Sequence, residues 1–315
     1  MTKSTGDMPR ILPADAGGLA NAAALLRAGE IVAVPTETVY GLAADAANAA
    51  AVARIFAAKG RPSINPLIVH VANRAMAGRH AAFSPLAERL AEAFWPGPLT
   101  LVLPRLADAP LAPAVTAGLA TVALRVPAHP AMQGVIAALG RAVAAPSANP
   151  SGRLSPTHAA HVRGLDIPLI LDAGACASGL ESSIVAVDGG RLTLLRPGAL
   201  ARETLERAAG CSIATASTDA AVAAPGMLLR HYAPRLPLRM HAQSAAADEW
   251  HIGFGAIAGD DTLSADANLD EAAANLFAAL HCAEASGRVA IAVAPIPSRG
   301  AGVAINDRLA RAAWG

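Results

Sequence analysis

The sequence predicts an α/β (α+β) fold, in which a mixed sheet with flanking helices precedes a smaller α/β domain. Helix and strand patterns alternate over the first two-thirds of the chain. Asp188-Gly189-Gly190 lies between two β-rich runs and predicts a hairpin, which adds antiparallel pairing to the sheet. Small residues and prolines fill residues 211–240, which indicates a linker. We therefore expect a first domain at 1–210 and a second at 241–315.

Local signals predict the elements in order along the chain. Asp, Asn and Ser are favoured at helix N-caps, proline at the first helical position and glycine just past the end. On these grounds helices are expected from Asp15 to Gly29, from Asn48 to Gly60, from Ser84-Pro85 to 94, over 132–139, from Ser155-Pro156 onward, over 202–209, over 269–285 and at the end of the chain. Strands are expected at the β-rich runs 31–34, 67–71, 100–103, 121–126, 142–145, 169–172, 183–187, 192–195, 251–254 and 288–294.

Composition excludes several classes of protein. The 25 Lys+Arg residues nearly balance the 24 Asp+Glu residues, so the chain is not a broadly basic nucleic-acid binder. Its three cysteines are far apart, which predicts neither a disulfide framework nor a zinc site and favours a reducing cytoplasm. The first residues lack the apolar core of a signal peptide, and no run of ~20 apolar residues predicts a membrane span. We expect a cytoplasmic protein without a membrane partner.

Standard nucleotide and hydrolase motifs are missing from the sequence. It contains no G-x-x-x-x-G-K-[ST], no H-E-x-x-H and no G-x-S-x-G. Ordinary P-loop proteins, zinc hydrolases and serine hydrolases of those types are therefore excluded. Any nucleotide site must be built in another way.

The segment from Lys59 to His70 is the first candidate site. Lys59 and Arg61 follow a predicted helix and precede a proline, so we expect both to project from a loop. Two adjacent cations with the amide of Asn65 suit an anion such as phosphate. The alternative is that the cations only favour the helix dipole. The chain has only two lysines, Lys3 and Lys59, and this rarity favours a specific functional role for the compact charge of Lys59.

Further candidates follow other predicted strands. The loops 35–41 and 145–152 carry hydroxyl and amide groups at strand ends, where open α/β sheets tend to bind ligands. Both would serve equally well as plain turns. The segments 181–184 and 195–198 lie at opposite ends of the predicted hairpin. Arg125, near the end of its predicted strand, is a candidate whose alternative is an edge or surface charge.

Seven motifs, in this order, resemble the YrdC-like family. They are P-T-E-T-V-Y-G-L (35–42), K-G-R-P-x-x-N-P-L-I-V-H (59–70), W-P-G-P-L-T (95–100), L-R-V-P (124–127), P-S-A-N-x-S-G (146–152), E-S-[ST]-I (181–184) and L-R-P-G (195–198). The resemblance covers about residues 15–210. The H-Y-A-P segment at 231–234 and the second small domain resemble the longer, two-domain members. The resemblance implies a YrdC-like twisted mixed sheet.

The resemblance also implies an activity and its site. Family members combine L-threonine, bicarbonate and ATP into threonylcarbamoyl-AMP and pyrophosphate, for threonylcarbamoyladenosine at position 37 of tRNA. By similarity, L-threonine is expected at Thr38, His70, Arg125, the backbone around Ala145, and Ser182. ATP is expected at Lys59, Arg61, Asn65, Thr121, Ser147, Asn149, Ser155, Arg196 and Tyr232, with the 231–232 patch folding over the nucleotide. No catalytic nucleophile and no dedicated metal ligand are expected, and Mg²⁺ would come with ATP, held by phosphate and water.

Two other readings of the residues stay open. The first is an RNA-binding module, which near-zero net charge and few aromatic residues disfavour, since RNA binders stack bases on aromatic rings. The second is a carbamoyltransferase with a YrdC-like domain, which pairs that domain with zinc-finger cysteines that three scattered cysteines cannot supply. For the synthase, the expected partner is a downstream tRNA threonylcarbamoyl transferase complex, met transiently, and weak RNA binding is left open.

Overall fold

The computed structural model of the protein describes residues 8–216 and 231–313. Its helices are α1 (Ala16–Arg27), α2 (Ala49–Lys59), α3 (Arg74–Ala77), α4 (Pro85–Phe94), α5 (Pro113–Thr116), α6 (Pro130–Leu139), α7 (Arg202–Ala209), α8 (Leu269–Ala285) and α9 (Ala301–Ala312). Its strands are β1 (Arg10–Pro13), β2 (Val32–Val34), β3 (Gly41–Asp45), β4 (Ile68–His70), β5 (Leu99–Pro104), β6 (Thr121–Arg125), β7 (Val143–Ala144), β8 (Leu169–Asp172), β9 (Ser183–Asp188), β10 (Arg191–Arg196), β11 (Ala214–Thr215), β12 (Leu238–Arg239), β13 (Glu249–Gly253), β14 (Asp261–Thr262) and β15 (Ala290–Val293). Residues 217–230 of the predicted linker lie outside the described residues. Within the described ranges, no helix is both long and apolar enough to cross a membrane.

One large mixed sheet forms the first part of the chain. Its strand order within residues 8–216 is β1-β8-β2-β3-β7-β4-β6-β5-β9-β10-β11. Strand β2 runs parallel to β8 and antiparallel to β3, while β9 runs parallel to β5 and antiparallel to β10. The predicted hairpin is confirmed, since Asp188 pairs with Arg191 across Gly189-Gly190. The mixed α/β fold that the sequence predicts is therefore correct.

Helices cover both faces of this sheet. Side chains alternate between the two faces of a strand, and β2 shows the result. Val32 and Val34 pack with α1 and α6 in one core, and Ala33 packs with α2 and α4 in another. Central strands such as β2, β3 and β5 are thus buried on both faces, which leaves their ends as the accessible places for a ligand.

Most predicted helix caps are confirmed. The side chains of Asp15, Asn48 and Ser84 each accept a hydrogen bond from the backbone N–H three residues ahead. Gly60 ends α2 with φ +58°, in the left-handed region that glycine adopts without steric cost. The helix ends that position the 59–70 segment are therefore set by local chemistry.

Two local predictions are wrong. Lys59, expected in a loop, is the last residue of α2, because the helix continues until Gly60 turns the chain. Ser155-Pro156 begins no α-helix, and only a single 3₁₀ turn forms at Ala159–His161. The hydroxyl of Ser155 donates instead to Oε1 of Glu181 at 2.5 Å, so it is not free to cap a helix.

The second part of the chain is a small α/β unit. Among residues 231–313, four strands form a parallel sheet in the order β12-β15-β13-β14. Helix α8 matches the predicted range 269–285, with Asn268 as its cap. Phe277 of α8 and Ile305 of α9 pack on Ile252 and Ile291 of the sheet. Tyr232 joins the same core, so the segment after residue 230 is anchored on the second unit.

Candidate active site

A cavity lies at the edge of the large sheet where β4 and β6 end. These strands are parallel neighbours, and their last residues, His70 and Arg125, pair across the ladder. The turn between β2 and β3 reaches the same edge, since Gly41 bridges to Ser147 in the loop after β7. The cavity is lined by Thr36, Thr38, Val39, Gly41, Arg61, Ile68, His70, Arg125, Ala145, Pro146, Ser147, Glu181, Ser182, Arg196, His231 and Tyr232.

The structure brings most of the predicted site residues to this cavity. Every position predicted for L-threonine lines it, namely Thr38, His70, Arg125, Ala145 and Ser182. From the set predicted for ATP, the lining residues are Arg61, Ser147, Arg196 and Tyr232. Segments that are far apart in sequence thus form one polar cavity.

Arg125 is the buried cation among the lining residues predicted for L-threonine. Its Nη1 donates to Oγ1 of Thr38 at 2.9 Å and its Nε donates to the carbonyl of Gly97 at 3.2 Å. Its Nη2 lies 2.6 Å from Oε1 of Glu37 in an ion pair. Burial opposes the charge on Glu37, yet the Arg125 guanidinium keeps the pKa of that carboxyl below its ordinary value. The guanidinium is therefore held rigidly, with N–H groups left over for a carboxylate.

His70 supplies a neutral imidazole beside Arg125. Burial, together with the Arg125 charge, lowers the pKa of His70 to about 3. The ring is therefore uncharged at neutral pH. Its Nδ1 is buried and has no hydrogen-bond partner within residues 8–216 and 231–313. A buried polar atom without a partner is costly, so a bound ligand that meets this nitrogen would gain affinity.

Ser182 connects the residues predicted for L-threonine with those predicted for ATP. Its hydroxyl lies 2.7 Å from Oγ1 of Thr100. Nη2 of Arg196 donates both to that hydroxyl at 3.1 Å and to the carbonyl of Ser182 at 2.9 Å. The predicted threonine ligand Ser182 and the predicted ATP ligand Arg196 are thus in direct contact. Two substrates bound at these residues would lie next to each other.

Lys59 and Arg61 form a buried cationic pair. Nζ of Lys59 donates to the carbonyl of Ser147 at 2.5 Å and to that of Asn149. Arg61 donates from Nε to the carbonyl of Asn65 at 3.2 Å and from Nη2 to that of Pro66 at 2.8 Å.

The electrostatics of this cationic pair favour a negatively charged partner. Burial and the Arg61 charge hold the pKa of Lys59 well below its ordinary value. Burial, with Arg196 nearby, lowers the pKa of Arg61 to about 10. No ion pair joins either cation to a carboxylate in the part of the chain that the structure describes. A bound polyphosphate would supply the missing negative charge.

Five residues predicted for ATP do not line the cavity, and Lys59 is one of them. Asn65 is fully buried, and its side-chain amide has no partner among the described residues. The side-chain amide of Asn149 donates to the carbonyls of Pro150 and Arg153, and the hydroxyl of Ser155 donates to Glu181. Thr121 begins β6, about 13 Å along the strand from Arg125 at its end. The structure does not bring Thr121 to the cavity.

The His231-Tyr232 segment lines one part of the cavity. Tyr232 adopts φ +62°, a conformation that residues other than glycine seldom take and that persists only where the surroundings enforce it. Its ring packs on Phe277 of α8, with a centroid separation of 5.8 Å, and the His231 ring lies 4.0 Å from it. The remaining cavity volume is about 40 Å³, room for a few water molecules. A nucleotide needs more space than this volume provides.

Two residues that sequence reasoning missed belong to this region. Glu181 lies in the E-S-S-I motif without an assigned role, yet its carboxylate lines the cavity. Arg308 of α9 is fully buried, and its Nε donates to Oε2 of Glu181 at 2.8 Å. No sequence signal marks Arg308, because charges at Asp307 and Arg311 predict an exposed helix face carrying an i,i+4 ion pair.

Comparisons with known proteins agree with this architecture. The Sua5–YciO–YrdC family model, described as telomere recombination, matches residues 24–198. The model of the threonylcarbamoyl-AMP synthase C-terminal domain matches residues 200–314. The threonylcarbamoyl-AMP synthase of Bacillus subtilis is 41% identical over 94% of this chain and 93% of its own length. That of Pyrococcus abyssi is 40% identical over 92% of each chain.

A solved structure matches over nearly the whole chain. It is the crystal structure of P. abyssi Sua5 complexed with L-threonine, with a TM-score of 0.84 and 38% identity, covering 94% of each chain. Both units of the present chain are therefore found together in a relative of similar length. This chain belongs to the Sua5–YciO–YrdC family, in the two-domain form that ends in the threonylcarbamoyl-AMP synthase C-terminal domain.

Proposed function

We propose that this protein is a threonylcarbamoyl-AMP synthase, which makes L-threonylcarbamoyladenylate and pyrophosphate from L-threonine, bicarbonate and ATP. The observation that carries the proposal is the direct contact between Ser182, predicted to bind L-threonine, and Arg196, predicted to bind ATP. The relatives that share both domains carry the same name. The reaction transfers an adenylyl group from ATP, so we class the enzyme as a nucleotidyltransferase.

L-Threonine is proposed to bind between Arg125 and His70. A guanidinium pairs well with a carboxylate, and Arg125 is already oriented by Thr38, Glu37 and Gly97. The neutral His70 ring offers its unpartnered Nδ1 to the amino acid. The P. abyssi relative was solved as a complex with L-threonine, which supports L-threonine as the substrate.

ATP is proposed to place its phosphates at the cationic side of the cavity. The amine of threonine adds to bicarbonate with loss of water, which gives a carbamate. A carbamate oxygen then attacks the α-phosphorus of ATP, and the bond to the β-phosphate breaks to release pyrophosphate. Lys59, Arg61 and Arg196 offset the negative charge, and the site aligns the reactants without a covalent nucleophile.

Mg²⁺ is proposed to enter with ATP as part of the substrate. In the described ranges, no three His, Cys, Asp or Glu side chains lie close enough to hold a metal ion. The cavity is lined mainly by cations, hydroxyls and backbone, which do not fit a resident divalent metal. Phosphate oxygens and water would therefore be the main ligands of the ion.

The His231-Tyr232 segment is proposed to act as a lid over the nucleotide. ATP does not fit in a cavity volume of about 40 Å³, so we expect the segment to move to admit ATP and to close again around the reactants. Carbamates lose carbon dioxide in water, so exclusion of solvent protects the intermediate.

Tyr232→Ala is expected to weaken ATP use and shorten the lifetime of the product. Loss of the ring removes its packing on Phe277, so we expect KM for ATP to rise by about tenfold and pyrophosphate release to exceed threonylcarbamoyl-AMP recovered. Tyr232→Phe, which keeps the ring, is the matched control. Equal product yield and KM in Tyr232→Ala and the wild type would exclude the lid.

The function itself is tested by pyrophosphate release. The protein is incubated with ATP, Mg²⁺ and bicarbonate, with and without L-threonine. We expect pyrophosphate release to depend on L-threonine. Equal release with and without L-threonine would contradict a synthase. We further propose that the product passes to a tRNA threonylcarbamoyl transferase in the cytoplasm, because a labile acyl-phosphate anhydride must be consumed soon after it forms.

A further inference from the structure

Arg308 is a second-domain residue whose side chain is buried against the first domain. It lies on α9, and its guanidinium is fully inaccessible to solvent. Its Nε donates to Oε2 of Glu181 at 2.8 Å, and its Nη2 donates to the carbonyl of Pro197 at 2.9 Å. Its Cζ lies 4.8 Å from the centre of the Tyr232 ring. One guanidinium thus touches three separate segments of the chain.

Each of these segments contributes to the cavity. Glu181 and Tyr232 line it directly, and Pro197 follows the lining residue Arg196. The other carboxylate oxygen of Glu181 accepts the Ser155 hydroxyl at 2.5 Å. Arg308 therefore contacts one residue predicted to bind ATP, Tyr232, and is connected to a second, Ser155, through Glu181, although it does not line the cavity itself.

The charge on Arg308 also keeps Glu181 ionised. Burial raises the pKa of Glu181, and the Arg308 and Arg196 charges outweigh it, so the pKa stays below its ordinary value. Burial opposes the charge on Arg308, yet the fields of Tyr232, Glu181 and Asp307 raise its pKa above its ordinary value. An ionised Glu181 can only accept hydrogen bonds, which fixes the direction of the Ser155 hydroxyl.

We propose that Arg308 is a positioning residue of the ATP site: it fixes Glu181, and through it Ser155, and it seats the Tyr232 ring. The second domain then completes the nucleotide site of the first domain instead of serving only as a neighbour. This inference rests on the proposed function, because it takes the cavity to be the site for ATP.

A second interdomain ion pair offers a matched control. Nη2 of Arg153 lies 2.9 Å from Oε1 of Glu284 on α8, and both side chains are partly exposed. Neither residue lines the cavity. Arg153→Gln weakens the contact between domains without touching Glu181, Ser155 or Tyr232. An effect of Arg308 that arises only from domain docking would be shared by Arg153→Gln.

The test compares Arg308→Gln, Arg308→Lys and Arg153→Gln in the full-length protein. Arg308→Gln is expected to raise KM for ATP by about tenfold or more, since misplaced site groups cost up to ~10²-fold. KM for L-threonine should change by less than about twofold, because Arg308 contacts none of the residues assigned to threonine. Arg308→Lys should lie between Arg308→Gln and the wild type, and Arg153→Gln should match the wild type.

A pH profile distinguishes positioning from folding. The charged or titratable groups around Glu181 are Arg308, Arg196, His231 and Tyr232. Burial chiefly lowers the pKa of His231 to about 3 and raises that of Tyr232, so neither changes charge near neutral pH. Loss of the Arg308 charge raises the pKa of Glu181, so Arg308→Gln should lose activity more steeply than the wild type as the pH falls below neutral, because the wild type shares only the titration of the substrates. Glu181→Gln combined with Arg308→Gln should remove this pH dependence.

Several outcomes would overturn the inference. A wild-type KM for ATP in Arg308→Gln would do so, as would equal changes in Arg308→Gln and Arg153→Gln. If Arg308→Gln does not fold, Arg308→Lys is tested instead by its thermal shift. The rise in Tm that MgATP produces should be smaller for Arg308→Lys than for the wild type. That readout needs no turnover, so it tests the positioning of ATP even if the wild type shows no threonine-dependent release and the proposed function fails.

Discussion

Lys59→Met is expected to lower kcat/KM for ATP by about 10²-fold, in line with the loss of one buried charge that stabilises a transition state. The ammonium lies between the carbonyls of Ser147 and Asn149, next to Arg61, and has no carboxylate partner within residues 8–216 and 231–313. Under the proposed function, a phosphate of ATP would supply the negative charge that no described carboxylate provides. Steady-state pyrophosphate release at varied ATP measures the effect.

The thermal stability of Lys59→Met should not fall together with its activity. Burial and Arg61 place the pKa of Lys59 in the folded state below its ordinary value of 10.5, so the unfolded state binds the proton more tightly. The stability of the wild type relative to Lys59→Met should thus rise with pH until 10.5. Near neutral pH we expect Tm of Lys59→Met to be no lower than that of the wild type, because a desolvated charge is removed. Arg54→Met, on an exposed face of the same helix, is the control for activity. A large fall in Tm with unchanged ATP kinetics would contradict the assignment.

Arg125→Lys is expected to raise KM for L-threonine by about 10²-fold, since hydrogen bonds between charged groups contribute ~1.5–3 kcal/mol each. Lysine keeps the charge but cannot form the paired hydrogen bonds of the guanidinium, and it cannot bond to Thr38, Glu37 and Gly97 together. The thermal shift produced by L-threonine should shrink accordingly.

The same substitution should leave the ATP site largely intact. The contacts of Arg125 are to residues outside the Lys59–Arg61 segment, so the thermal shift produced by MgATP should persist. Arg141→Lys, at an ion pair with Asp45 away from the cavity, is the matched control. Equal losses of threonine and ATP binding in Arg125→Lys would show a general structural defect and contradict the threonine assignment.

Features that depend on neighbouring residues were predicted well from the sequence. The caps at Asp15 and Asn48 and the turn at Gly189-Gly190 need only residues a few positions apart. The order of the family motifs also pointed to residues that the fold gathers at one sheet edge. Strand pairing explains this gathering, because His70 and Arg125 end adjacent parallel strands.

Features that depend on distant contacts could not be predicted in this way. The Ser155 hydroxyl looked free to cap a helix, because its partner Glu181 is 26 positions away. Arg308 gave no signal, since its buried surroundings come from the first domain and from Tyr232. Lys59 was predicted in the loop just after α2, whereas it is the last residue of that helix. From this last turn its ammonium reaches the carbonyls of Ser147 and Asn149.

The most direct test of the account follows the carbon of bicarbonate. The protein is incubated with ¹³C-bicarbonate, L-threonine and MgATP, quenched early, and examined by mass spectrometry alongside a pyrophosphate assay. We predict a threonine–AMP adduct that carries one ¹³C and forms in equal amount to pyrophosphate. An adduct without the label, or pyrophosphate that forms at the same rate when threonine is omitted, would contradict the synthesis of threonylcarbamoyl-AMP at this site.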